Sequence, residues 1–191
     1  MSPAPALRPG PAWVLSVAGL VLTAVTLLWV SMDYAICPPT DSEHHLLDVI
    51  LFSRAVSGGP VALWEAVRHS YVGWPPLSYI FPYGVLGALL GDDAQQMRMY
   101  GVALLPILIW GVYRLGADLA DARTGTMAAV ITIFSFGISG QLRQVSIDLP
   151  SAVTVVLAMV ALVRSRGYSR VGYTLLFGVA CVMLVLAWGW R

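Results

Sequence analysis

The chain has 191 residues, of which 58% are hydrophobic and 11% charged, with a mean hydropathy of +0.77. A soluble domain carries about 25% charged residues, so the deficit excludes an ordinary water-solvated fold and makes lipid the main solvent. The formal net charge is +1 and no basic run or zinc-ligand spacing occurs, which excludes nucleic acid as a partner.

All eleven cationic residues are Arg, and the two cysteines, Cys37 and Cys181, are too few for a disulfide framework. The first twelve residues hold four prolines, Arg8 and no acid. The apolar run that follows is too long for a signal-peptide core and reads as a retained anchor.

Residues 13–31 form the first predicted span, long enough for a hydrocarbon core of about 30 Å. Trp13 and Trp29 flank it, where amphipathic rings favour the interface, and Arg8 favours a cytoplasmic N-terminus. A first extracytoplasmic loop, 32–73, follows. Within it, 43–57 reads as a helix with Leu46, Leu47, Ile50 and Leu51 on one face. Gly58-Gly59 stops that helix and Pro60 opens the next. The second helix spaces Val61, Trp64, Val67 and Tyr71 opposite Glu65, Arg68 and His69, the pattern of a helix lying in the membrane interface.

Trp74-Pro75-Pro76-Leu77 marks re-entry. Further apolar runs cover 77–90, 99–115, 124–140, 149–163 and 171–190, so the expected fold class is all-α, a multi-span membrane bundle forming a single domain over 1–191. Asp92, Asp93, Asp118, Asp121 and Arg123 read as solvated loop charges. Arg164, Arg166 and Arg170 form the tightest cationic loop, with no acid nearby in sequence; the positive-inside rule assigns it to the cytoplasm. Asp148 then belongs outside, on the side of Asp41. Three full crossings between Trp74 and Asp148 would reverse that, so one of the segments within 77–140 is expected to cross incompletely. The chain ends at Arg191 directly after an apolar run and reads as cut.

The chemistry-bearing stretch is Thr40-Asp41-Ser42-Glu43-His44-His45. It has the spacing of a capping box, and His44 can pair with Asp48 one helical turn on. Equally, a carboxylate just outside the membrane can act as a general base, and carboxylate with imidazole can hold a divalent metal. Asp148-Leu149-Pro150 is an ordinary helix start; it is also an ionisable group at the mouth of a membrane helix, five residues after Arg143. Arg98 is either a flanking anchor of the 99–115 run or a fork-shaped phosphate contact.

In order along the chain, Asp41-Ser42-Glu43-His44, Trp74-Pro75-Pro76-Leu77, Gly91 with Arg98, and Arg143 to Asp148-Leu149-Pro150 resemble the membrane glycosyltransferases of the GT-C class. The likeness is to the family 39 type, which includes protein O-mannosyltransferases and the aminoarabinose transferase of lipid A. The resemblance implies an integral protein of the bacterial inner membrane. Its site would face outward and move a sugar, with inversion, from a polyprenyl-phosphate donor to a lipid, glycan or protein acceptor. It implies catalytic roles for Asp41, as acceptor base, and Asp148, as second carboxylate. Glu43, His44, Trp74, Arg98 and Arg143 would contact substrate; a divalent metal ion is the one cofactor in question.

The chain departs from the family pattern by placing Ser42 between two acids that are commonly adjacent, and by its shortness, which implies the N-terminal part of a larger module. A non-enzymatic membrane subunit is the alternative reading. A transporter is disfavoured by the lack of an inverted repeat and of a charge within any apolar run.

Overall fold

A computed structural model describes residues 11–32, 41–68, 77–135, 145 and 148–188. Among them every regular element is helical: α1 Pro11–Met32, α2 Asp41–Gly58, α3 Pro60–Arg68, α4 Leu77–Leu90, α5 Ala94–Val102, α6 Leu105–Leu119, α7 Ala122–Ile133, α8 Asp148–Ser165 and α9 Val171–Trp188.

The helix boundaries follow local chemistry. Gly59 takes φ +94°, a left-handed value that ends α2 at small steric cost, and Pro60 starts α3 where its missing N–H is not needed. Gly91, at φ +123°, ends α4. Asp93 then caps α5, its Oδ1 accepting from the backbone N–H of Gln95 at 2.8 Å and of Gln96 at 3.0 Å. Asp121 caps α7 in the same way, accepting from Thr124 N–H at 2.7 Å. Thr23 satisfies its hydroxyl inside α1 by donating to the Gly19 carbonyl at 2.7 Å.

Helices α5 and α6 together form one apolar stretch, Ala94–Leu119, with a break at Ala103 and Leu104. Pro106 explains the break. It has no N–H for the carbonyl four residues back, and its ring crowds that carbonyl. The chain tightens there, Leu104 N–H reaching the Gly101 carbonyl at 3.1 Å.

Two apolar clusters organise the packing. One joins Val102, Leu105, Leu108 and Ile109 to Ala129 of α7 and to Leu149 and Val153 of α8, with Leu22 and Leu27 of α1 against it. The other joins Val49 and Phe52 of α2, Ile80 and Tyr83 of α4, Met97 of α5, and Val145. Helix α9 runs along α8 and touches α4. Glycines allow the closest approaches. A Cβ on Gly116 would lie 2.8 Å from the Gly125 Cα, and one on Gly125 would fall on the Tyr113 carbonyl oxygen and 2.9 Å from Ala117 N.

Among the described residues two helices, Ala94–Leu119 and Asp148–Ser165, are long and apolar enough to cross a membrane by length and composition. Helix α4, at 14 residues, and α7, at 12, rise only about 21 and 18 Å, short of a core of about 30 Å. The expected run 124–140 therefore ends early as regular helix at Ile133; residues 136–140 lie outside the described set.

Three expectations need correction. Arg98 does not flank a span: it stands inside α5 with 7% exposure, its Nη1 donating to Gln95 Oε1 at 3.1 Å. The reason is the helix start at Ala94, five residues earlier than the apolar run suggests. Asp118 is not a loop charge either. It lies in the last turn of α6 and is held by Arg164. Asp92 stays in the turn before α5 but is paired with Arg54 at 2.8 Å.

Candidate functional site

Asp41, Glu43 and His44 occupy the first turn of α2 as backbone positions; their side chains, with Trp74 and Arg143, lie outside the described residues. Asp148 opens α8 and is exposed. Three residues before it, Val145 is fully buried in the cluster formed by α2, α4 and α5. That cluster also takes in Val49 and Phe52 of α2, the helix that Asp41 opens. Arg98 stands beside Met97 of the same cluster. Asp48, on the α2 face below His44, is buried.

Among the described residues no group of three or more His, Cys, Asp or Glu stands close enough together to hold a metal ion. Four of the carboxylates there have structural partners: Asp93 and Asp121 cap helices, and Asp92 and Asp118 pair with arginines.

A second polar site lies at the other end of α8, roughly 24 Å from Asp148 along the helix axis. Here a cavity of about 370 Å³ is lined by Asp118, Val163, Arg164, Arg166, Arg170 and Tyr173. Arg164 grips Asp118 with both prongs, Nε to Oδ2 at 2.6 Å and Nη2 to Oδ1 at 3.2 Å. Its guanidinium carbon lies 6.0 Å from the centre of the Tyr173 ring, at the outer limit of a cation–π contact.

The turn from α8 to α9 shapes this site. Arg166, Gly167 and Tyr168 take φ values of 48°, 66° and 68° in succession. Left-handed geometry at a non-glycine residue costs roughly 1–3 kcal/mol and persists only where neighbours impose it. Ser165, fully buried, does so. Its hydroxyl donates to the Leu162 carbonyl at 2.7 Å and accepts from Tyr168 N–H at 3.3 Å, while its carbonyl accepts from Arg170 N–H at 3.1 Å.

The cationic loop was legible as a run of arginines. Its acid was not, because Asp118 comes from another helix 46 residues earlier. No known protein family, curated protein or solved structure matches the chain.

Proposed function

We propose that the chain is a multi-span membrane protein that works as a glycosyltransferase, moving a sugar from a polyprenyl phosphate to an acceptor on the extracytoplasmic face. The embedding is supported by what stays uncovered. Only 33% of the most apolar window of Ala94–Leu119 and 39% of that of Asp148–Ser165 is buried within the chain, whereas the core helix of a soluble protein is mostly buried. In α3, Val61 and Trp64 face outward, as suits a helix lying in the interface.

The observation that carries the catalytic reading is Val145. It lies three residues before Asp148 and is buried in a cluster that also holds Val49 and Phe52 of the helix Asp41 opens, which supports a reading with both carboxylates in one site. In the proposed reaction the Asp41 carboxylate takes the proton of the acceptor hydroxyl or amide. The acceptor atom bonds to the anomeric carbon as the bond from that carbon to the phosphate oxygen breaks, inverting the centre. The electron pair leaves with the phosphate, whose charge Arg143 and Arg98 would offset. Asp148 assists the acceptor.

The test is transfer from a polyprenyl-phosphate sugar in membranes holding Asp41→Asn or Asp148→Asn. A general base contributes roughly 100-fold or more, so each variant should lose transfer by that order while still inserting. Transfer left intact in Asp41→Asn would disprove the reading. A companion measurement is labelling of Asp148→Cys by a membrane-impermeant thiol reagent in intact cells. Labelling only after the membrane is opened would separate the two carboxylates by the bilayer. The rival, a non-enzymatic membrane subunit, draws support from the caps at Asp93 and Asp121, which show acids of this chain serving structure alone; it predicts unchanged transfer in both variants.

A further inference from the structure

The cavity at the α8–α9 turn has more positive charge than its structure uses. Arg164 is committed to Asp118 through both prongs. Both oxygens of Asp118 are thereby occupied, and Oδ1 also faces Arg114 Nη2 at 3.9 Å, so this carboxylate does not oppose an incoming anion. Arg166 and Arg170 line the same cavity and are exposed. Among the described residues neither side chain makes a hydrogen bond or an ion pair. The strained turn that holds them is pinned by the buried Ser165, so the two guanidiniums are presented from a fixed backbone. The volume, about 370 Å³, falls within the range of about 300–1,000 Å³ usual for small-ligand sites.

What lies next to the cavity narrows the ligand. Directly after Arg170, α9 turns Val171, Leu175, Val179 and Val182 outward, all exposed and spaced to form one stripe. A soluble anion has no use for such a stripe; an acyl chain does.

We propose that this cavity binds the phosphate headgroup of an anionic phospholipid, held by the guanidiniums of Arg166 and Arg170, with an acyl chain along the α9 stripe. Basic pockets between membrane helices on the cytoplasmic side recognise such headgroups, and Arg is suited to them because its fork matches phosphate oxygens. The site needs α8 and α9 to sit in a bilayer, which is part of the proposed function; it does not depend on the transfer chemistry.

The experiment uses the full chain in nanodiscs of phosphatidylcholine and phosphatidylglycerol in equal parts, with retained lipid read by native mass spectrometry. Phosphatidylglycerol should be retained over phosphatidylcholine. Each arginine near an anionic headgroup accounts for about five-fold in affinity, so Arg166→Asn with Arg170→Gln should weaken retention by about thirty-fold at unchanged unfolding temperature. Asn suits the left-handed geometry at 166, so the pair should fold. Arg170→Gln alone, where no such geometry is involved, provides the single-site check, at about five-fold. Arg123→Gln, an exposed cation at the start of α7 outside the cavity, should change nothing.

Equal retention of both lipids, or an equal loss in Arg123→Gln, overturns the proposal. Saturation by inorganic phosphate in phosphatidylcholine-only nanodiscs overturns the lipid assignment and makes the site one for a soluble anion. A chain that stays out of the nanodiscs overturns the embedding as well, whereas loss of sugar transfer with lipid retention intact touches only the proposed function.

Discussion

Arg164, in the last turn of α8, reaches Asp118, in the last turn of α6, through two hydrogen bonds of 2.6 and 3.2 Å. The pair fastens two helices that meet in no other charged contact among the described residues, and its side chains are only 21% and 23% exposed. A bidentate Arg–carboxylate pair shielded in this way is worth more than an open one. Asp118→Asn with Arg164→Gln in a double-mutant cycle should give a coupling of about 1 kcal/mol, read from thermal unfolding in detergent, with little loss in added salt. A coupling indistinguishable from zero would mean that apolar packing alone holds α6 to α8.

Arg54 and Asp92 supply the contrast. Their separation is similar, 2.8 Å, but the side chains are 69% and 35% exposed. Solvent screening should leave the same cycle at or below about 0.5 kcal/mol, falling further as salt is raised. A value matching that of the Arg164 pair would show that exposure is not what separates them.

The glycines of the α6–α7 hairpin should be intolerant of even a methyl group. In Gly125→Ala the new Cβ meets the Tyr113 carbonyl and Ala117 N, both backbone atoms, which cannot swing aside as a side chain can. Overpacking of this kind should cost about 3 kcal/mol. Gly178→Ala in α9 meets nothing within 4 Å and should instead raise stability by about 0.5–1 kcal/mol, since alanine restricts the unfolded chain and favours helix. Unfolding midpoints moving in the same direction for both would refute the packing argument.

Asp121 ties stability to pH. Its carboxyl is held below the ordinary 3.8, first by the Thr124 backbone N–H and then by the Thr124 side chain. A depressed carboxylate contributes stability that is complete above its unfolded value and is lost as pH falls through the folded one. The α7 cap should therefore weaken only below about pH 4. Asp121→Asn keeps a capping oxygen without a titrating group, so hydrogen exchange at Thr124 should lose its acid dependence there. Persistence of that dependence in the variant would assign it to another group.

Much of the secondary structure was readable from local chemistry. Gly58-Gly59-Pro60 and Gly91-Asp92-Asp93 mark helix ends because a glycine at positive φ and a carboxylate facing the next N–H groups act within four residues. The helix expected at 43–57 lies within Asp41–Gly58 for that reason. The candidate acids were equally visible as residues, but their surroundings were not. Asp93 and Asp121 read as solvated loop charges and proved to be helix caps; Asp118 could not be placed as a partner of Arg164.

The apolar composition accords with segments that are helical, and two of them are long and apolar enough to cross a membrane, where a backbone must satisfy its own hydrogen bonds. It does not determine which helix meets which. In α1, α4 and α9 apolar residues leave no polar stripe to mark an outer face, so neither period nor amphipathicity points at a neighbour. Tertiary packing alone decided that Arg98 is buried, that Gly116 crosses Gly125, that Val145 joins the cluster of α2, α4 and α5, and that Asp118 faces Arg164. Each of these depends on shape fit or charge pairing between segments distant in the chain, and such fits leave no trace in local pattern.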